Sequence, residues 1–170
     1  MFNLFRNKQS DQKLIKVDIG CGDSKADGFI GVDIVPGPKV DIVCDLNVKF
    51  PFENSSVDYL RANHTIEHLH DKIKTMNEIF RVCRDNAIVD IWVPSTDGRG
   101  AFQDPTHVSY WNSHSFLYFT NKKPDFLAMG KKYGFKGEFK ILKLRNSFTI
   151  DKIVFTHARL KAIKPAKIDL

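Results

Sequence analysis

Asp18-Ile19-Gly20-Cys21-Gly22-Asp23 is the stretch of this chain best equipped to hold a ligand. It ends an apolar run, Leu14, Ile15, Val17 and Ile19, that predicts a buried strand. Two glycines in a tight turn let backbone approach a ligand closely, because neither presents a Cβ. A second apolar run, Phe29 to Val32, stops at Asp33. An acid at the tip of the next strand can accept hydrogen bonds from a ribose diol. These residues predict a nucleoside-cofactor site. A dinucleotide fingerprint would need G-x-G-x-x-G and an acid about 20 residues on. Here Lys25 takes the third glycine position, and Asp33 follows Gly20 by only 13 residues. Asp18 and Asp23 would repel a pyrophosphate but suit an ammonium group. The charges therefore favour a ligand with ribose, adenine and an amino acid, but no phosphate.

Histidines form the second reactive set: His64, His68 and His70 after the fourth predicted strand, and His107 after the fifth. Strand carboxyl ends of an open α/β sheet face the ligand crevice, so the two groups are expected to converge. Histidine titrates near neutral pH and can serve a hydroxyl acceptor as base. His107, in Asp104-Pro105-Thr106-His107, is the first catalytic candidate and His68 the second. The alternative for each is a packed, hydrogen-bonded ring that only shapes its loop. Glu67 either orients a histidine or caps the helix expected from Asp71. His64-Thr65-Ile66-Glu67-His68 also fits H-x-x-E-H, a zinc pattern with two histidines on one helix face. Zinc would need a third protein ligand, Asp71 or His107.

The turn at 18–22 resembles the first motif, acid-x-G-x-G, of the class I S-adenosylmethionine-dependent methyltransferases, with Ser24 where many members have a third glycine. Val40-Asp41-Ile42-Val43-Cys44-Asp45-Leu46 resembles their third strand and its adenine-contacting acid. Phe50 to Asp58 resembles the P-F-x-x-x-S-x-D entry to the fourth strand, and Asn63 to Leu69 the L-E-H-L turn after it. Glu78 to Cys83 resembles E-x-x-R-V-L before the fifth strand. Arg99 to His107 resembles a loop of a small methyltransferase-11-like subgroup. The ordered set spans roughly residues 14–120.

The resemblance implies S-adenosylmethionine as cofactor, and methyl transfer to a small-molecule or glycan-like oxygen or nitrogen acceptor. It places Asp18, Gly20, Cys21 and Gly22 around the methionine end and Asp33 on the ribose. Asp45 would take the adenine amino group, with Leu46 and Ile34 against the ring and Asn63 where cofactor and acceptor meet. It explains the histidine segment without zinc, so no metal ligand is assigned and a protease reading is set aside. Two rival readings keep the fold. One is a regulatory subunit without chemistry. The other is a metal-assisted nucleic-acid methyltransferase similar to those acting on small RNA, with His64 where they carry an acid.

The elements that must position these groups are short. A chain of 170 residues, 42% hydrophobic and 27% charged, is expected to form one α/β domain with one core. It divides into an amino-terminal segment 1–12, a cofactor-binding core 14–120 and basic strands over 121–170. Cys21, Cys44 and Cys83 form no C-x-x-C pair, which fits a reducing cytoplasm rather than a disulfide framework. No apolar run reaches signal-peptide or membrane-span length, so a cytoplasmic location is expected.

Residues 1–120 carry 13 basic and 16 acidic side chains, whereas 121–170 carry 13 and 4. The basic third reads as a solvated lysine surface, since lysine predominates and few aromatics interleave, which disfavours nucleic acid. Strands are expected near 14–19, 29–34, 40–44, 57–62 and 86–93, and a helix over 71–84 with Leu69, Ile73, Met76, Phe80 and Cys83 on one stripe. Short helices over 113–120 and 124–133 and a hairpin of 138–146 and 149–160, turning at Asn146-Ser147, complete the set. The fold class is a Rossmann-like, seven-stranded, mostly parallel sheet with a carboxyl-terminal antiparallel hairpin and reduced helices. Links 23–28 and 35–39 are too short for crossover helices. They are expected to leave apolar strands to be covered by a symmetric homodimer or by a lid from Phe2, Leu4 and Phe5.

Overall fold

The computed structural model describes residues 13–149, 151 and 153–165. Seven strands run in the order β3-β2-β1-β4-β5-β7-β6. They are β1 (Lys16–Ile19), β2 (Ile30–Asp33), β3 (Ile42–Val43), β4 (Val57–Asn63), β5 (Cys83–Pro94), β6 (Phe139–Phe148) and β7 (Val154–Ala162). The first five are parallel neighbours, and β7 pairs antiparallel with both β5 and β6. The expected mixed sheet with its closing hairpin is what forms. The expected amino-terminal lid lies outside the described residues.

Register explains how so few helices suffice. One row of neighbours across the sheet reads Ile42, Val32, Ile19, Ala62, Ile91, Ala158 and Leu144. The next reads Ile30, Val17, Leu60, Val89, Leu160 and Ile141. Both rows are apolar, and from β1 through β7 they are fully buried. They lie on the core side, packed by α1 (Lys72–Val82), a 3₁₀ segment (Ser113–Phe119) and α3 (Pro124–Lys132). Each fully buried Val, Leu or Ile there contributes roughly 1.5–3 kcal/mol.

The opposite face is different in kind. Its rows read Lys16, Tyr59, Ile88, Lys161, Lys140 and then Asp18, Arg61, Asp90, Arg159, Lys143. Ion pairs and rings tie it together: Arg61 binds Asp18, Asp90 accepts from Tyr59 Oη at 2.8 Å, and His157 stacks on Trp92. A parallel sheet covered by helices on both faces reads as continuous apolar strands. Here alternation leaves a polar second face, so missing crossover helices expose little apolar surface. Within the stretches expected to need a cover, Phe29, Ile30 and Ile42 are half-buried, Val32 is buried and Val43 is exposed. The basic third becomes this face's Lys140, Lys143, Arg159 and Lys161.

The helix expected over 71–84 starts one residue later, because Asp71 is its N-cap and accepts from Lys74 N at 2.9 Å. Its buried positions are Thr75, Met76, Ile79 and Val82, with Ile73 and Phe80 at the stripe's edge. The hairpin turn falls beyond Asn146-Ser147, which lie inside β6. Asn146 Oδ1 accepts from Thr156 Oγ1 and Asn146 Nδ2 donates to Asp97, bonds that hold it in the ladder. The short helix α2 (Gly100–Gln103) was not expected, and the turn expected within Asn63 to Leu69 is a 3₁₀ turn, Ile66–His68.

No helix links β3 to β4; the connection is held by Arg81 instead. Its guanidinium donates to Phe50 O, Phe52 O and Asn54 Oδ1 and pairs with Glu78, whose Oε2 accepts from Phe50 N. Arg81→Met should therefore lower stability by about 3 kcal/mol, read from the urea midpoint. Arg81 holds the Glu78 carboxyl below its ordinary range, first by hydrogen bonding. A depressed carboxyl stabilises above its unfolded pKa and loses that contribution as pH falls. The gap between the two proteins should thus narrow as pH falls through the carboxylate range.

Candidate active site

The carboxyl ends of β1, β2 and β3 open into a cavity of about 250 Å³. Gly20, Asp33, Ile34, Cys44, Asp45 and Leu46 line one side of it, and His64, Thr65 and His68 the other. Gly20 has φ +61°, and a Cβ there would clash with Thr65 Cγ2. Thr65 is fixed by donating to Ile19 O at 2.9 Å, so only glycine fits the turn. Gly22, at φ +45°, faces open space and donates its N–H to Asp33 Oδ2 at 2.9 Å. Asp33 Oδ1 accepts from Val35 N at 3.0 Å. Each Asp33 oxygen thus carries one backbone bond and keeps a lone pair for a ligand hydroxyl. Asp45 is exposed, with Oδ1 on Asn47 N.

This donor set fits a nucleoside without phosphate. Two carboxylates face the cavity, apolar Leu46 and Ile34 flank them, and no lysine or arginine lines it among the described residues. A pyrophosphate would meet two anions and no counter-charge.

Five of the nine expected cofactor residues line this cavity: Gly20, Asp33, Ile34, Asp45 and Leu46. The other four are placed elsewhere. Asp18 is 1% exposed and is neutralised by Arg61 while accepting from Ala26 N, so it anchors the 23–28 link from behind. Cys21 Sγ turns toward Lys39 O, and burial pushes its thiol pKa up. Gly22 serves Asp33 through its N–H. Asn63 sits in register beside Trp92, outside the cavity walls. Asn47, Cys44, Thr65 and Leu69 are lining residues that sequence reasoning passed over. Cys44, Thr65 and Leu69 lay within recognised segments, so their signal was present.

Behind His64 and His68 lies a second cavity of about 210 Å³. Glu67, Pro94, Gln103, Asp104, His107 and Phe155 also line it. His64 and His68 border both cavities. His64 closes β4 in the left-handed region, φ +53°, with its N–H on Trp92 O. Such strain in a non-glycine residue concentrates at functional sites. It also places His64 outside any helix, so the H-x-x-E-H reading with two histidines on one helical face does not hold. Asp71 is engaged as a helix cap and is not a ligand in that pattern.

The loop bearing His107 is clamped to the Ile66–His68 turn. Val108 N and Ser109 N both donate to Glu67 O, and Ser109 Oγ donates to Ile66 O. His107 Nδ1 stands 3.0 Å from Ala101 O, a carbonyl that can only accept, so that nitrogen carries the proton. Nε2 is left with its lone pair, 4.0 Å from Glu67 Oε1 and 3.9 Å from Asp104 Oδ2. His68 Nδ1 lies 3.2 Å from Thr106 O, which fixes the same tautomer. The two rings meet edge-on with centroids 4.9 Å apart. Both histidines line the second cavity. Asp104 is held below the ordinary carboxylate pKa first by the Thr106 hydroxyl and then by its N–H. Glu67 neither caps a helix nor forms a hydrogen bond through its side chain among the described residues.

Residues 29–90 match the family model described as a methyltransferase domain. No curated protein matches the chain. Solved structures share the fold at low identity. One described as an S-adenosylmethionine-dependent methyltransferase, from Methanosarcina mazei, is 14% identical with a TM-score of 0.59, covering 97% of this chain and 99% of its own. A 16S rRNA (adenine(1408)-N(1))-methyltransferase from Catenulisporales acidiphilia, solved with S-adenosylmethionine, is 12% identical with a TM-score of 0.54, covering 91% and 87%. The cyclase SpnF is 11% identical with a TM-score of 0.59, covering 89% and 75%.

Proposed function

We infer that this chain, whose fold and partial match to a methyltransferase domain support the reading, is a class I S-adenosylmethionine-dependent methyltransferase, and that its methyl acceptor is a small-molecule or glycan-like oxygen or nitrogen. The observation that carries this reading is the pair of cavities meeting at His64 and His68. S-adenosylmethionine, when bound, supplies an electrophilic methyl on its sulfonium sulfur. Asp33 holds the ribose hydroxyls through its free lone pairs, and Asp45 takes the adenine amino group between Leu46 and Ile34. The turn at Gly20 to Gly22 lies against the methionine end, with Asp18 anchoring it from behind.

The second cavity receives the acceptor. Its size suits a small molecule, and its lining of histidine, glutamine and carboxylate suits one rich in hydroxyl or amino groups. His107 and His68 present Nε2 there and accept the acceptor proton during in-line displacement. Incubating the protein with labelled S-adenosylmethionine and a metabolite extract, followed by mass spectrometry, tests the reading. A labelled low-mass product supports it. Label found only in RNA or protein would overturn the acceptor class.

No helix among the described residues is long and apolar enough to cross a membrane. Self-association is a separate part of this proposal. Val35, Val43 and Val48 are exposed in and around the edge strand β3, and a second copy of the chain is their proposed cover. Light scattering at micromolar concentration should read twice 19.5 kDa, and a mass near 19.5 kDa would exclude the dimer.

A further inference from the structure

We propose that Glu67, His68 and His107 bind a divalent first-row metal ion in the wall of the second cavity. One donor atom from each lies within 4.8 Å of the other two. Ligands on an ion with bonds of about 2.1 Å stand about 3 Å apart when adjacent, so side-chain shifts near 1 Å close the site. Glu67 is the independent observation. It is 2% exposed, and neither carboxylate oxygen has a hydrogen-bond partner among the described residues. A buried, unpaired carboxylate is expensive, and such groups pair with a cation or coordinate a metal. Two histidine nitrogens near it, His64 Nδ1 at 3.6 Å and His107 Nε2 at 4.0 Å, stand beyond hydrogen-bond reach.

Both histidines are prepared as ligands. Nδ1 of His107 is taken by Ala101 O and Nδ1 of His68 by Thr106 O, which leaves both Nε2 lone pairs free. Backbone carbonyls holding the outer ring nitrogen are what orient metal-bound imidazoles. Two imidazoles and one carboxylate suit zinc or manganese better than magnesium, which prefers oxygen. Three protein ligands leave open positions facing the acceptor. That last step rests on the acceptor-cavity reading, whereas metal binding itself does not. An ion would occupy both Nε2 lone pairs, so these rings act as bases only in the metal-free protein.

The test uses the full chain, freed of metal by chelation and dialysis. Isothermal titration with zinc chloride, manganese chloride and magnesium chloride should give one saturable site, tightest for zinc and weakest for magnesium. Glu67→Gln keeps the side-chain shape and should weaken zinc at least about tenfold. Zinc should also raise the thermal midpoint of the parent protein and not of Glu67→Gln. No saturable binding, or binding that Glu67→Gln leaves unchanged, overturns the site. Titration of the same metal-free protein with S-adenosylmethionine keeps the two readings apart. Zinc binding without cofactor binding retains this site and removes the methyltransferase reading.

Discussion

Asp33→Ala should weaken S-adenosylmethionine binding at least about tenfold while the fold stays intact. The Asp33 carboxylate is set by Gly22 N–H on one oxygen and Val35 N–H on the other. What remains on each oxygen is directed at the cavity. Hydrogen bonds to a charged acceptor are worth roughly 1.5–3 kcal/mol each, and about 1.4 kcal/mol is a decade in affinity. Losing even one ribose contact therefore reaches the stated effect. Asp33 sits at a strand tip outside the apolar rows, so its removal leaves the core filled. Circular dichroism should be unchanged while the dissociation constant rises. An unaltered constant would remove Asp33 from the site.

His107→Ala should cut turnover by roughly 10²–10⁴-fold and leave S-adenosylmethionine affinity within a few-fold of the parent. His107 lines the second cavity and not the first. Its Nε2 stands 4.0 Å from Glu67 Oε1, on the side proposed for the acceptor, where it would serve as proton acceptor or as metal ligand. Either role is lost with the ring. His107 is buried, so His107→Gln, which preserves more of the volume, guards against simple unfolding. A fall in affinity with unchanged turnover at saturation would make His107 a cofactor or structural residue.

The sheet was legible because apolar runs and glycine turns are local. Leu14 to Ile19, Phe29 to Asp33 and Val57 to Asn63 each declare a strand within a few residues. The polar second face was written in the same strands, in Lys16, Asp18, Tyr59 and Arg61 alternating with Val17, Ile19, Leu60 and Ala62. Reading length alone at the short links suggested a bare apolar face, whereas the alternation already assigned it to charge. Asp33 and Asp45 were readable because strand tips point toward the crevice whatever the loop does. The pairing of Asp18 with Arg61 was not readable, because that partner is 43 residues away and no local pattern joins them. The meeting of His107 with the segment of Glu67 was expected from the strand ends, but the bonds that clamp the two together could not be read locally. They run from Val108 and Ser109 back to the Glu67 carbonyl, a tertiary contact.

The central claim is that this chain holds S-adenosylmethionine in the cavity between Gly20, Asp33 and Asp45. Isothermal titration of the purified protein with S-adenosylmethionine tests it most directly. One cofactor per chain, bound saturably and lost in parallel with Asp33→Ala, is the expected result. A flat titration of folded protein, or binding that Asp33→Ala and Asp45→Ala both leave untouched, would contradict it.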